Sequence, residues 1–345
     1  MLLEIDNLKT HYQTEKGPVR AVDGVTFSIG ENEVFGLAGE SGCGKSTLIR
    51  TIMRLIPPSA RVSADRLQFK GQDLLDLPDK AFREKILWQG ISLVPQSAMN
   101  ALNPVYRVGD QIMETFRTHR DDNEAACTRK TETLFDLVGL QAALTRSYPH
   151  EFSGGMRQRA MIAMALALGP SLIIMDEPTT GLDVLVQERI LRKLKEIRRT
   201  WMEKSGTAAS ILLITHDISV IAEMSDRIGI MYAGRLMELA EATALFHEPF
   251  HPYTLGLKNA FPSIRALDRE LISIPGSPPN LLVEIPGCAF APRCPFALPE
   301  CERIRPEFRE VKPDHFVACH RDDRAEEFRR QAGEKKIWQS SKSSI

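Results

Sequence analysis

Short apolar runs alternate with longer amphipathic stretches along residues 1–240. Four of these runs are VFGLA, ISLVP, LIIMD and ILLIT, and each one leads into a polar segment at its carboxyl end. Runs of this length between amphipathic segments are typical of a largely parallel sheet covered by helices. Because open α/β sheets bind ligands at the carboxyl ends of their strands, we expect the functional site at that edge.

The pattern changes twice further along the chain. Between residues 103 and 168, helical periodicity in QIMETFRTHR, TRKTETLFDLVGL and GGMRQRAMIAMALAL predicts an inserted helical subdomain. From 241 to 320, proline and glycine clusters such as SIPGSPPN predict a small irregular domain appended to the first. Residues 321–345 are mixed in charge, and we predict that they form a solvated, disordered tail.

Length and charge narrow the possible classes of protein. A chain of 345 residues suggests one large α/β domain with an extension. With 44 basic and 45 acidic residues it carries no basic field, so we expect no nucleic-acid partner. The most apolar stretch, 160–175, is broken by Gly169-Pro170 and falls short of the roughly 20 residues that a membrane span requires. The N-terminus lacks the pattern of a secretory signal, which predicts a cytoplasmic protein with reduced cysteines.

The run GESGCGKST follows the apolar run VFGLA directly. Its glycine spacing is that of a phosphate-binding loop, because glycines let backbone N–H groups converge on phosphate oxygens. Lys45 adds positive charge for the outer phosphates, and the Ser46 hydroxyl is placed to bind Mg²⁺. We therefore expect a nucleoside triphosphate to contact Gly39, Glu40, Ser41, Gly42, Cys43, Gly44, Lys45, Ser46 and Thr47.

Two further motifs have the chemistry of phosphate handling. LIIMDEP ends in adjacent carboxylates, so Asp176 can hold Mg²⁺ while Glu177 polarises an attacking water. In FSGGMRQR, Ser153, Gly154 and Gly155 open a helix and provide a second N-terminus that accepts an anion. One chain thus has two helix N-termini that are suited to bind phosphate.

The combination and order of these motifs resemble the ATP-binding subunits of ABC transporters over roughly the first 240 residues. The resemblance implies a P-loop ABC fold with a mixed sheet and a helical subdomain, in which two such domains sandwich two ATP molecules. It further implies that the signature residues Ser153, Gly154, Gly155 and Met156 act in trans on the ATP held by the other domain. Met156 stands where the family pattern has glutamine, and we expect activity to be kept because serine and glycine make the phosphate contact.

The resemblance also implies roles for four isolated residues. Gln96 matches the loop that touches Mg²⁺ and signals to the membrane subunit, and His216 matches the switch histidine. Asp183 matches the dimer-contact loop, and Tyr12 matches the aromatic residue that stacks on adenine. Taken alone, Tyr12 also fits a strand residue packed on the sheet, His216 a structural histidine, and Asp183 a helix cap. The implied catalytic set is Glu177, His216, Lys45 and Gln96, and the implied Mg²⁺ ligands are Ser46, Gln96 and Asp176.

Four cysteines, Cys288, Cys294, Cys301 and Cys319, lie in a short proline-rich segment. Such a segment buries too little apolar surface to fold without a cross-link such as a bound metal. Four thiolates suit either structural zinc or a [4Fe–4S] cluster. Their spacing lacks the paired knuckles of many zinc sites but does not choose between the two. Together with HPYT and IPGSPPN, the cysteines resemble the C-terminal extension of dipeptide and oligopeptide importer ATPases, which implies a [4Fe–4S] cluster, with zinc as the alternative.

The resemblance implies an ATP-hydrolysing, energy-coupling subunit of an importer for di- or oligopeptides or similar solutes. Its implied partners are a second ATPase subunit, which we expect to be a paralogue, two transmembrane permease subunits and, indirectly, a solute-binding protein. The implied location is the cytoplasmic face of the cell membrane. The alternative is a soluble ABC-type ATPase that acts on the ribosome or nucleic acid, but one phosphate loop and no basic tract argue against it.

Overall fold

The computed structural model describes residues 1–96, 101–205, 209–260 and 272–340. The strands are β1 (Leu3–Thr14), β2 (Gly17–Ile29), β3 (Val34–Ala38), β4 (Ala60–Ser63), β5 (Arg66–Phe69), β6 (Gln72–Asp73), β7 (Ile91–Val94), β8 (Leu172–Asp176), β9 (Ser210–Ile214), β10 (Arg227–Tyr232), β11 (Arg235–Glu241), β12 (Arg309–Lys312) and β13 (His315–Val317). The helices are α1 (Lys45–Ile52), α2 (Asp79–Lys85), α3 (Val108–His119), α4 (Glu124–Leu137), α5 (Gly154–Leu166), α6 (Val184–Ser205), α7 (Ile218–Met224), α8 (Ala242–His247), α9 (Pro252–Ala260), α10 (Pro299–Arg303), α11 (Ala325–Gln331) and α12 (Lys335–Ser340).

The chain divides into two compact units. The first consists of residues 1–3, 29–34 and 69–214, and the second of residues 4–28, 35–68 and 215–345. The mixed α/β fold expected of a P-loop protein is confirmed, because parallel and antiparallel strands both occur and helices separate the parallel ones.

The first unit is built on the parallel strands β7, β8 and β9, in that spatial order. Both faces of β9 and nearly all of β8 are buried, as expected for parallel strands covered on two sides. The structure has helices α3, α4 and α5 and short 3₁₀ turns between residues 103 and 168, the stretch whose periodicity predicts helices. Asn123 starts α4 by accepting the Ala126 N–H at 2.9 Å, as its N-cap.

The second unit contains two groups of paired strands. In one, β1 lies between β2 and β5, and β4 also pairs with β1. In the other, β3 pairs in parallel with β10, and β10 forms an antiparallel hairpin with β11. The hairpin turns at Ala233 and Gly234, whose φ angles of 49° and 81° match the left-handed geometry of a tight hairpin turn.

The C-terminal extension adds strands to this second group. Strand β13 pairs antiparallel with β11, and β12 pairs with β13. The Ala318 N–H also donates to the Met237 carbonyl at 2.9 Å, which continues the ladder past β13. The extension is therefore bonded to the sheet through its backbone. Residues 241–320, which were predicted to be irregular, thus also contain two strands of this sheet.

The prediction of a solvated tail from residue 321 is wrong for residues 321–340, and residues 341–345 lie outside the described residues. Helices α11 and α12 occupy this stretch, and Phe328, Ala332 and Trp338 are at most 1% exposed. The Trp338 indole N–H donates to the Ala332 carbonyl at 2.9 Å. A few apolar residues thus pack this stretch against the extension although charged residues surround them. In the described part of the chain, no helix is long and apolar enough to cross a membrane.

Candidate functional site

The phosphate loop lies in the second unit, between β3 and α1. Its glycines are required by the backbone, because a Cβ on Gly39 would lie 2.1 Å from the Met231 carbonyl oxygen and one on Gly44 would lie 2.1 Å from that of Ala21. Both also have positive φ angles, of 154° and 108°. The sheet therefore packs against the loop too closely for any other residue at these two positions.

Lys45 is the first residue of α1 and is 7% exposed. Its ammonium donates to the carbonyl of Gly39 at 2.7 Å and to that of Glu40 at 3.0 Å, and it lies 3.5 Å from the Cys43 sulfur. The charge is thus held in the concave side of the loop. Burial raises the pKa of the Cys43 thiol, with Lys45 opposing the shift, so this sulfur is protonated at neutral pH.

The aromatic residue proposed for adenine stacking lies beside the same loop. The Tyr12 hydroxyl, at the end of β1, is 3.4 Å from the Thr47 hydroxyl in α1. Ser41 is exposed, Gly42 has a φ of 78° and Ser46 follows Lys45 in the first turn of α1. The second unit therefore brings Tyr12, Lys45 and Thr47 together around one loop.

Gln96 and Glu177, two of the candidates for chemistry on water, meet in the first unit. The Gln96 side-chain N–H donates to a carboxylate oxygen of Glu177 at 2.9 Å. The Thr180 hydroxyl donates to the same oxygen at 2.9 Å. Glu177 has a φ of 49°, which is strained for a residue with a Cβ and is held by its N–H bond to the Ile214 carbonyl at 2.8 Å. Strain of this kind is expected where a side chain must be aimed.

Asp176 is the last residue of β8 and is partly buried. His216 is exposed and precedes Asp217, whose carboxylate caps α7 by accepting the N–H groups of Ser219 and Val220. Oxygen donors such as Asp176 and Ser46 have the chemistry that Mg²⁺ prefers. The histidine is placed at the entrance to a helix, where a capped turn fixes its backbone.

The signature residues open helix α5 in the first unit. Ser153 is its N-cap and accepts the Met156 N–H at 3.3 Å. Gly155 lies against α6, because a Cβ there would be 2.5 Å from a methyl carbon of Val186. Gly154 is half-buried, so the first turn of α5 remains partly accessible. The signature is thus a capped helix end that can accept an anion.

Asp183 lies at the start of α6, where its carboxylate accepts the Val186 N–H at 3.0 Å. This bond makes it the N-cap of the helix, as one of the two predicted roles requires. The side chain is exposed, so the same residue is accessible for a dimer contact.

All four cysteines of the extension line one small pocket in the second unit. Backbone N–H groups donate to two of the sulfurs, from Leu298 to Cys301 at 3.5 Å and from Arg321 to Cys319 at 3.4 Å. Hydrogen bonds of this kind support thiolate ligands. Within the described residues, however, no group of three or more His, Cys, Asp and Glu side chains could hold a metal ion as arranged. The pocket therefore does not have the arrangement of a preformed tetrahedral zinc site.

Electrostatics of the pocket disfavours free thiolates. Burial, with the charges of the neighbouring cysteines, raises the pKa of Cys288 to about 11 and that of Cys319 to about 12. The pKa of Cys294 is raised well above its usual value for the same reasons. Thiols whose pKa values are raised this far are neutral at pH 7.

Sequence reasoning missed two residues that contact the phosphate loop. Arg293 donates to both carboxylate oxygens of Glu40, at 2.7 and 3.0 Å, and the Tyr253 hydroxyl accepts the Glu40 N–H at 2.9 Å. Tyr253 belongs to the motif HPYT, and Arg293 directly precedes Cys294. Both therefore lie in segments that were identified by their resemblance to the importer extension. Neither spacing nor composition indicates a partner more than 200 residues away.

Comparison with known proteins defines the class. Residues 22–180 match the family described as ABC transporter. The structure resembles that of MJ0796, described as a bacterial ABC transporter cassette, with a TM-score of 0.59 and 26% identity over 70% of this chain and 98% of that one. The chain is an ABC-type ATPase, the class that the phosphate loop, the paired carboxylates and the signature define.

Residues 237–301 match the family described as oligopeptide/dipeptide transporter, C-terminal region. The chain is 43% identical to the dipeptide transport ATP-binding protein DppD of Bacillus subtilis, over 94% of this chain and 96% of the relative. It is 41% identical to the oligopeptide transport ATP-binding protein OppD of Salmonella typhimurium, over 92% and 93% of the two chains. It belongs to the family of dipeptide and oligopeptide transport ATP-binding proteins, and this excludes the ribosome-acting alternative.

Proposed function

We propose that this chain is the ATP-hydrolysing, energy-coupling subunit of an importer for di- or oligopeptides. It works at the cytoplasmic face of the membrane with a second ATPase subunit, a paralogue, and two permease subunits that receive solute from a binding protein. Support for the solute class comes from the names of DppD and OppD. Substrate selection rests with the binding protein and the permeases, because this chain contributes motifs for phosphate and water only.

Glu177 is proposed to act as the base that polarises the attacking water. The observation that carries this role is the hydrogen bond from Gln96 to the Glu177 carboxylate, which joins a predicted Mg²⁺ ligand to the predicted base. Ser46, Gln96 and Asp176 would hold Mg²⁺, which supplies charge stabilisation at the transferring phosphate when bound. Lys45 would neutralise charge on the same phosphates, and His216 would act as the switch histidine.

The test of this role is Glu177→Gln in the assembled transporter. We expect ATP binding to be kept and steady-state hydrolysis to fall by roughly a hundredfold or more, because the amide cannot accept a proton. Glu188→Gln is the matched control, since Glu188 pairs only with Arg192 on an exposed face of α6 among the contacts described. Wild-type ATPase activity in Glu177→Gln would contradict the assignment.

The second half of the site is proposed to come from the partner ATPase. Ser153, Gly154, Gly155 and Met156 would contact the ATP held by the partner's phosphate loop, and Asp183 would contact the partner. Support comes from the capped, half-accessible start of α5 and from the dimeric form of the cassette MJ0796. Tyr12 would stack on adenine beside the loop, as its contact with Thr47 suggests.

The peptide-import role is tested in cells that lack this chain. Uptake of a labelled dipeptide and a labelled pentapeptide should fall to background and return with the wild-type chain but not with Glu177→Gln. Uptake of an amino acid by an unrelated system is the control. Normal peptide uptake without this chain would exclude the solute class and leave the ATPase assignment intact.

Cys288, Cys294, Cys301 and Cys319 are proposed to bind a [4Fe–4S] cluster that staples the extension. Support comes from their shared pocket and from the N–H bonds to the sulfurs of Cys301 and Cys319. Anaerobic purification should give iron and acid-labile sulfide in equal amounts, and Cys294→Ser should lower both while Cys127→Ser, a buried thiol elsewhere, does not. Stoichiometric zinc without iron would overturn the proposal.

A further inference from the structure

Glu40, the second residue of the phosphate loop, has each of its polar groups engaged. Its carboxylate accepts two hydrogen bonds from Arg293, and its N–H donates to the Tyr253 hydroxyl. Its carbonyl accepts from the Lys45 ammonium at 3.0 Å and from the Cys43 N–H at 3.3 Å. The side chain and N–H are thus held by the extension, while the carbonyl is held by the loop itself.

Arg293 is built for this contact. Its five N–H donors meet five acceptors: two oxygens of Glu40, the Tyr232 hydroxyl, and the carbonyls of Ile274 and Pro275. The side chain is 7% exposed, and a fully satisfied guanidinium has one orientation rather than several. The bidentate pair therefore fixes both the position and the direction of the Glu40 carboxylate.

Tyr253 is fixed in the same way. Its N–H donates to the His251 ring nitrogen Nδ1 at 3.0 Å, and burial lowers the pKa of His251 to about 3, so the ring stays neutral and accepts. The Tyr253 ring packs against Tyr232 and Phe290, with centroids 4.6 and 5.2 Å apart. Burial raises the pKa of Tyr253, so its hydroxyl keeps its proton. The motif HPYT thus delivers one hydroxyl to one backbone N–H of the loop.

We propose that the extension completes the nucleotide site: Arg293 and Tyr253 are positioning residues that set the first turn of the phosphate loop for the phosphates of ATP. This inference rests on the proposed role of that loop. Through Glu40 the two residues restrain the turn that precedes Gly42 and Gly44, and backbone N–H groups of such a turn face the anion in a loop of this type. Loss of either restraint leaves the loop with more conformations, of which fewer bind phosphate.

The test measures ATP and ADP affinity of the full-length chain in its complex, together with KM and kcat for ATP hydrolysis. Arg293→Ala is expected to weaken ATP binding roughly tenfold and to raise KM more than it lowers kcat. Arg293→Lys keeps the charge but loses the bidentate geometry and should recover only part of the loss. Tyr253→Phe removes one acceptor with little change in packing and should weaken binding by a smaller factor, which guards against a folding defect.

Arg309→Gln is the matched control. Arg309 forms an ion pair with Asp322 at 2.7 Å inside the extension, and no described contact joins it to the loop. Loss of this ion pair should lower the melting temperature but leave the affinity of the folded chain unchanged. A purely structural role for Arg293 would give the same result as Arg309→Gln, and that outcome would overturn the inference.

A double-mutant cycle checks the route through Glu40. The effect of Arg293→Ala should disappear in the background of Glu40→Gln, because the pair is already broken, whereas additive losses would overturn the inference. Lys45→Ala distinguishes a failure of the phosphate-loop role from a failure of the positioning role. If Lys45→Ala retains full ATP affinity, the phosphate-loop role itself is wrong; if only Lys45→Ala loses affinity while Arg293→Ala does not, the positioning role alone is wrong.

Discussion

The Gln96 amide and the Glu177 carboxylate lie 2.9 Å apart, and the oxygen that Gln96 reaches is the same one that accepts the Thr180 hydroxyl. One carboxylate oxygen thus accepts hydrogen bonds from two side chains of different loops. Because Glu177 itself has a strained, left-handed backbone, these two bonds fix the direction of a side chain that would otherwise be free to rotate.

Thr180→Val should lower kcat for ATP hydrolysis by roughly tenfold, because a hydrogen bond to a charged group is lost while the side-chain volume is kept. KM for ATP should change little, since Thr180 has no part in the phosphate loop. Steady-state kinetics of the assembled transporter measure both values. A rise in KM with constant kcat would place Thr180 in binding rather than in orientation of the base.

Gly39→Ala and Gly44→Ala should each abolish ATP binding, because the new Cβ would lie 2.1 Å from a backbone carbonyl oxygen and the loop would have to move. Gly71→Ala is the matched control. Gly71 also has a positive φ, of 75°, but nothing lies within 4 Å of its Cβ position, so only strain of about 1 kcal/mol is expected there. Nucleotide titration and chemical unfolding distinguish the two effects.

Gly155→Ala should lower the free energy of unfolding by about 1 to 3 kcal/mol, because its Cβ would overlap Val186 in the contact between α5 and α6. Val186→Ala in the same chain should restore most of this loss. If hydrolysis stays impaired in the double variant although stability returns, the signature glycine has a role beyond packing. Full recovery of both would leave it a packing residue only.

Asp23 predicts a dependence of stability on pH. Burial alone would raise the pKa of Asp23, but hydrogen bonds and charge from Arg235 and Arg305 outweigh it, so its pKa lies below the usual 3.8. The folded state therefore gains stability from this carboxylate above pH 3.8 and loses it as the pH falls through the folded pKa. Asp23→Asn should cost about 2 to 4 kcal/mol at pH 7, with a smaller difference from wild type near pH 3.

Urea unfolding at several pH values measures this difference. Glu4→Gln is the control, since its pair with Arg66 is more exposed and should contribute at most about 1 kcal/mol. A cost for Asp23→Asn that does not change with pH would show that packing, rather than charge, makes the residue important.

Trp338→Ala should lower the free energy of unfolding by about 3 to 5 kcal/mol, because the indole is 1% exposed and its removal leaves a cavity. Leu298→Ala, at a residue 39% exposed, should cost much less. Thermal and chemical unfolding of the full chain provide the comparison. Equal, small losses for both variants would support the original expectation of a solvated tail.

Sequence reasoning recovered the parts of the molecule whose chemistry is local. The strands that precede Lys45, Gln96 and Glu177 were predicted because apolar runs of that length have few other interpretations, and the phosphate loop has a fixed spacing. It failed at residue 321 because frequent charges hid the helical spacing of Ala325, Phe328 and Ala332.

Long-range pairs were beyond its reach for a different reason. The Glu40–Arg293 pair joins residues 253 positions apart, and neither residue type is unusual where it stands. The bond between Gln96 and Glu177 spans 81 positions and became visible only once parallel strands β7 and β8 were placed side by side. A periodic pattern assigns a residue to an element, but the partner of its side chain depends on the tertiary fold.

The engagement of Glu40 by the extension has a consequence for protein engineering. A chimera that grafts this C-terminal segment onto another cassette would leave Arg293 buried without its carboxylate unless glutamate stands second in the recipient's phosphate loop. Truncation after β11 would likewise strip a strand from the sheet edge at β13 and expose apolar rings. The cassette and its extension can therefore be exchanged between proteins only together.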